Sequence, residues 1–280
     1  MTILNRRGVL AAMLAAPVAG ALFGKALAAP AATQRLQVSP ERSTDLMVWA
    51  PAKPVAVALL STGHGSWPER YEGLCQTLVA AGFAVLAPLH VDSMHHPDRE
   101  TFDARAGFME RLADMRATSA EAARRWPGLS VAAVGHSYGT LISLCLGGAL
   151  AYMAPFRDPT VKAVLGWSTP GKIPGLVAPP AYAGLAVPTM IITGDQDLVP
   201  TFVTDWHDHL FPIETSPAGG KYAVTFAGAA HDLISGQPKA AYDAALTYSA
   251  AFLKASVLGD APAKTLIDTA AGPGETWLRR

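Results

Sequence analysis

Short, unbroken apolar runs alternate along this chain with stretches of helical period, and that alternation restricts the fold more than any other feature. Val55–Leu60, Phe83–Ala87, Val131–Val134, Val161–Leu165, Thr189–Thr193 and Tyr222–Phe226 are solidly apolar or nearly so. A strand that faces water on one side alternates polar and apolar residues, whereas solid runs belong to strands covered on both faces. Between them, Pro68–Ala81, Phe102–Trp126, Tyr138–Leu150 and Lys239–Lys254 read as helices, the second with Phe108, Leu112 and Met115 on one stripe. Gly82 stands where the first of these helices should end. Strand and helix in turn predict an α/β domain, a mostly parallel sheet with helices on both faces. At 280 residues, 50% of them hydrophobic, the chain is long enough for one such domain and short for two.

Residues 1–28 read differently. Arg6 and Arg7 precede a soft apolar run to Phe23, and Lys25 is followed by Ala26-Leu27-Ala28, a small-x-small exit. A positive end, an apolar middle and small residues at the exit predict a cleaved export signal, and the arginine pair resembles a twin-arginine leader. The run carries Pro17 and is shorter than a membrane span needs, so no stable insertion is expected after cleavage. The domain is expected over residues 33–258, followed by a polar tail, 259–280. Whole-chain charge is balanced, 22 Lys+Arg against 22 Asp+Glu. With no basic block, nucleic acid is not expected as a partner. Cys75 and Cys145 lie in helical stretches without metal or redox motifs and read as buried thiols.

Chemistry concentrates where strands end. Gly135-His136-Ser137-Tyr138-Gly139 directly follows the run Val131–Val134 and opens an apolar helix. A glycine two before and two after a serine permits a sharp strand-to-helix turn that lifts the hydroxyl above the sheet. A serine hydroxyl needs a base, and His231, after the strand Tyr222–Phe226 and a small-residue turn, is the best-placed histidine. The base needs a carboxylate, and Asp195 and Asp197 both follow the strand Thr189–Thr193.

The order Ser137, Asp197, His231, together with the Gly194-x-x-Asp197-x-x-Pro200 run, resembles the α/β-hydrolase superfamily from about Val55 to Lys254, and within it small capless serine esterases such as dienelactone hydrolases and cutinase-like enzymes. The resemblance implies Asp197 rather than Asp195 as the acid, and backbone N–H groups of Tyr138 and Ser66 as oxyanion donors, the latter from the His64-Gly65-Ser66 stretch. It implies a serine hydrolase that needs no cofactor and no metal, acting on a small-molecule or polymeric ester, with thioesters and amides open to the same machinery. A non-catalytic binding protein on the same fold is the alternative of another class. The Pro- and Gly-rich stretch Ala151–Pro188 leaves no room for a large helical cap, and Trp167, where it is not simply packed, is the candidate lining of an acyl pocket. His90, Asp92, His95, His96 and Asp98 match no zinc spacing and read as a solvated loop. His207 and His209 read as surface residues.

Overall fold

The computed structural model describes residues 31–280; the expected export segment lies outside them. The elements, in chain order, are β1 (Ala32–Ser39), β2 (Arg42–Trp49), β3 (Ala56–Ser61), α1 (Glu72–Ala80), β4 (Phe83–Pro88), α2 (Ala104–Arg125), β5 (Val131–His136), α3 (Tyr138–Gly147), β6 (Val161–Trp167), β7 (Thr189–Gln196), α4 (Phe211–Thr215), β8 (Lys221–Ala230), α5 (Lys239–Leu258), α6 (Ala261–Thr269) and β9 (Glu275–Arg279). The described strands form one sheet in the order β1-β2-β4-β3-β5-β6-β7-β8-β9. The six strands from β4 to β8 run parallel, while β1, β2 and β9 pair antiparallel at the two edges.

The solid apolar runs are explained by what covers them. Along β3, Ala58 and Leu60 belong to a core shared with Leu74 and Leu78 of α1 and Phe252 of α5. Val57 and Leu59 point the other way, onto Phe108 and Met115 of α2 and Leu141 of α3. Every second residue therefore serves a different core, and neither face can be polar.

The chain leaves β3 toward β4 on one side and returns across it to β5 on the other. That reversal of strand order opens a crevice at the carboxyl ends of β3 and β5, where ligands of open parallel sheets bind. No helical domain covers this end among the described residues. The stretch from Ser168 to Pro188 is loop and turn, with a single 3-10 turn at Pro179–Tyr182.

The segment after Gly259 corrects the expectation of a polar tail. Residues 261–269 form α6, which starts on an Asp260 side chain that caps the Ala263 N–H at 2.9 Å and buries Ala263 and Ile267. Then β9 pairs with β8, covering that edge of the sheet. In α6 only Ala263 and Ile267 are buried and in β9 no residue is, which hid the segment in a polar composition.

Candidate active site

Ser137 sits on the turn between β5 and α3 with φ 52° and ψ −118°. Such a backbone is disfavoured for a residue with a side chain, by about 1–3 kcal/mol. It is pinned from both sides: the Ser137 N–H donates to the Trp167 carbonyl at 2.9 Å, and the Thr140 N–H donates to the Ser137 carbonyl at 2.9 Å. The flanking glycines are needed for close approach. A Cβ on Gly135 would meet the Gly139 carbonyl oxygen at 2.3 Å, and one on Gly139 would meet that of Ser61 at 1.9 Å. The two Cβ atoms would thus push α3 off both its own turn and the end of β3.

Paired strands deliver the other two groups. The register Gln196↔Ala230 brings the ends of β7 and β8 together, so the next residues of each, Asp197 and His231, are neighbours. His231 Nε2 lies 3.0 Å from Ser137 Oγ, and Nδ1 lies 2.7 Å from Asp197 Oδ1. The His231 side chain keeps 28% of its surface exposed, so it remains reachable. Asp197 is fully buried, and Thr193 Oγ1 at 2.7 Å, the Ser168 hydroxyl and His209 Nε2 at 3.1 Å also donate to it. Burial pushes its carboxyl up, but the hydrogen bonds from His209 and His231 outweigh this and hold it well below the usual carboxylate range. Asp195 turns away; its carboxylate accepts the Gly228 N–H at 2.8 Å.

His209 is not the surface residue its spacing predicted. It is buried in a 3-10 turn, Trp206–Leu210, whereas His207 is exposed. The Thr169 N–H donates to His209 Nδ1 at 3.1 Å, so Nε2 carries the proton and donates to the Asp197 carbonyl at 2.9 Å as well as to its carboxylate. Asp197, His209 and His231 are also close enough together to hold a metal ion. The nitrogens facing Asp197 are the protonated ones, however, and a cation would have to displace both protons.

The loop after β3 also departs from expectation. The Ser66 N–H, expected to face an oxyanion, is turned inward and donates to the Gly63 carbonyl at 3.1 Å. The Gly63 N–H donates to Tyr71 Oη at 2.8 Å and the Gly65 N–H to Asp92 at 3.1 Å. Within the turn Gly63–Ser66 the His64 N–H is left without a protein acceptor among the described residues. Its direction is fixed by Arg111 of α2, whose Nη2 donates to the Gly63 carbonyl at 3.0 Å and whose Nη1 donates to that of Thr62 at 2.6 Å. In a trans peptide the C=O and N–H are opposed, so holding the Gly63 oxygen inward aims the His64 N–H outward. Arg111 in turn forks onto Asp92 at 2.7 and 2.8 Å and lies 4.7 Å from the centre of the Tyr138 ring. Burial pushes the Asp92 carboxyl up; the hydrogen bonds from His64 and Arg111 prevail and hold it well below its ordinary value.

A second relay joins the loops. Tyr71 Oη lies 3.0 Å from His136 Nδ1, and His136 Nε2 lies 3.2 Å from the His231 carbonyl. The only consistent assignment has Tyr71 donating to Nδ1 and Nε2–H donating onward. Burial, then the neighbouring His231, push the His136 imidazole down to about 3. It stays neutral and ties the serine turn to both flanking loops.

The histidine-rich loop does not converge on one centre. His90 pairs with Asp114 at 2.8 Å and Ser61 at 2.9 Å, Asp92 with Arg111, and His95 stacks on Trp67. Trp167 is likewise corrected: it is buried, its indole N–H donating to Ser249 Oγ at 3.0 Å and its ring edge-on to Tyr242. It shares the strand face of Ala163 and Leu165, under α5, and does not line the cleft. Cys75 and Cys145 are buried free thiols.

Above Ser137 lies a cleft of about 1430 Å³, with His64, His136, Tyr138 and His231 also in its lining and walls that include Phe108 and Phe202. No protein-family model and no curated protein matches the sequence. Solved structures do match. A dienelactone hydrolase from Anabaena variabilis superposes with TM-score 0.62 at 19% identity, over 81% of this chain and 98% of its own. The chain has the α/β-hydrolase fold. A thermostable carboxyl esterase from Bacillus coagulans shares this α/β-hydrolase architecture with TM-score 0.63 at 13% identity, over 81% of this chain and 99% of its own. An α/β serine hydrolase homologue from Coxiella burnetii gives 0.56 at 16%, over 86% and 97%. The α/β-hydrolase topology expected from the sequence is what the chain adopts, with no cap domain among the described residues.

Proposed function

We propose that the protein is a serine hydrolase that cleaves carboxylic esters through an acyl-enzyme. The observation that carries this reading is the unbroken path from Ser137 Oγ to His231 Nε2, at 3.0 Å, and from His231 Nδ1 to Asp197, at 2.7 Å, at the bottom of an accessible cleft. Ser137 Oγ attacks the acyl carbon while its proton passes to His231 Nε2. The buried Asp197 carboxylate stabilises the imidazolium and fixes its tautomer. Negative charge on the carbonyl oxygen is received by the Tyr138 N–H, at the amino end of α3, and by the outward-facing His64 N–H. Collapse expels the alkoxide, which takes the proton from His231, and water repeats the sequence to release the acid. Two of the fold relatives carry esterase or dienelactone hydrolase in their names, which supports an ester over an amide or thioester.

A fluorophosphonate probe and p-nitrophenyl butyrate test the reading together. Labelling at Ser137, and turnover that Ser137→Ala abolishes, are the expected results. A folded protein that neither labels nor turns over would leave only a binding role for the fold.

Export belongs to the same proposal. Arg6-Arg7 and the small-residue exit at Ala28 support passage to the periplasm or beyond. Among the described residues no helix is long and apolar enough to cross a membrane. Amino-terminal sequencing of exported protein should begin at Ala29; a chain that keeps Arg6 and stays in the cytoplasm would refute it.

A further inference from the structure

The cleft above Ser137 is larger and more apolar than a short acyl group requires. Ligand pockets usually span roughly 300–1,000 Å³, and this one encloses about 1430 Å³. Its walls include Phe102, Phe108, Met109, Met153, Phe156 and Phe202, drawn from the start of α2 and from the loops after α3 and β7. Some of this wall is left in water: Phe202 is 61% exposed, Met109 49% and Met153 48%. Tyr152 and Leu198, also exposed, adjoin Met153 and Val199 of the wall. Of nine large exposed hydrophobics among the described residues, these five lie on the wall or next to it in the chain. Scattered apolar side chains need no explanation, but a cluster around a reactive serine marks a surface meant to be covered.

Charge narrows the occupant further. Arg70 and Arg99 line the cleft against Asp92, Glu100, Asp103 and Asp232, so the cations do not outnumber the acids. The guanidinium of Arg111 is committed to Asp92 and the β3 loop. With four carboxylates against two guanidiniums in its lining, the cleft disfavours a carboxylate on the substrate.

We infer that the natural substrate is an uncharged ester with a long aliphatic acyl chain, which lies along the phenylalanine and methionine wall and covers Met109, Met153 and Phe202. The inference rests on the proposed ester chemistry and adds the class of acyl group. Burying one methylene is worth about fourfold in affinity, and a wall that stays partly wet returns less than this.

The test compares p-nitrophenyl acetate, butyrate, octanoate and a hemisuccinate, with the native protein and the variants Phe202→Ser and Met109→Ser, whose exposed positions leave folding intact. The expected result is a rise in kcat/KM of at least tenfold from acetate to octanoate, with the hemisuccinate slower than butyrate. Each variant should lower the octanoate-to-acetate ratio at least threefold. A flat or falling series in a Ser137-dependent enzyme overturns this inference alone, as does preference for the hemisuccinate. A dimer in solution whose contact protects Phe202 from oxidative footprinting overturns it too. Failure of every ester, with no fluorophosphonate labelling, removes the ester reading beneath it.

Discussion

Arg111 Nη2 and the carbonyl oxygen of Gly63 lie 3.0 Å apart, and through that one peptide plane a residue of α2 sets the direction of the His64 N–H. A lysine keeps the charge but cannot hold two carbonyls and a carboxylate in one planar fork. Losing an oxyanion donor outright costs about 10²–10³ in kcat. Arg111→Lys, which misaims the donor without removing it, should lower kcat about tenfold with KM within about threefold. Steady-state kinetics with p-nitrophenyl butyrate check this, and a parallel rise in KM would show that the arginine serves binding instead.

Asp195 and Asp197 should behave as opposites. Asp197→Asn reverses the hydrogen-bonding demand on His231 and favours the wrong tautomer, so kcat should fall by roughly three to four orders of magnitude. Asp195→Asn leaves an oxygen to accept the Gly228 N–H and should change kcat less than threefold. Side-by-side kinetics decide, and equal losses would mean that the loop, not the carboxylate, is what matters.

His209→Phe removes a buried donor to Asp197 and leaves the Thr169 N–H without its acceptor. An unsatisfied buried polar group costs about 1–3 kcal/mol. The midpoint of urea unfolding should fall accordingly, and an unchanged midpoint would show that water replaces the ring.

Acid stability should fall in two stages. The His136 imidazole has its pKa depressed to about 3 by burial and then by His231, against an ordinary value near 6.5. The unfolded chain therefore binds a proton that the folded one refuses, and stability declines as pH drops from about 6.5 toward 3. His90, also lowered mainly by burial, adds to the loss as pH falls below its ordinary value. Asp92 and Asp197, both depressed, contribute stability that is present above about pH 4 and is lost below it. His136→Gln, whose amide can still accept from Tyr71 and donate to the His231 carbonyl, should flatten the loss between pH 6.5 and 4 and leave the steeper part below. Urea unfolding at half-unit intervals reads both limbs.

The parts of this site that were legible in the sequence are those fixed by strand ends. Ser137 follows one apolar run, Asp197 a second and His231 a third, and parallel pairing brings those ends together whatever the side chains between them. The Ser66 amide was misjudged because its partner, the Gly63 carbonyl, depends on how the turn closes, and that is decided by Arg111 some fifty residues on. His209 was illegible for the same reason: nothing near it in the chain announces Thr169 or Asp197. Trp167 is different, since its parity with Ala163 and Leu165 already assigned it to a buried face of the sheet.

The reacting groups are lashed to one another by Tyr71, His136 and Arg111, whereas the walls at Met153 and Phe202 come from separate connections that share none of those ties. Evolution, or a protein engineer, can therefore exchange the segments around Met153 and Phe202 to redirect what is admitted, without retuning the proton path underneath. New specificities on this scaffold should arise by grafting loops, with the chemistry inherited unaltered.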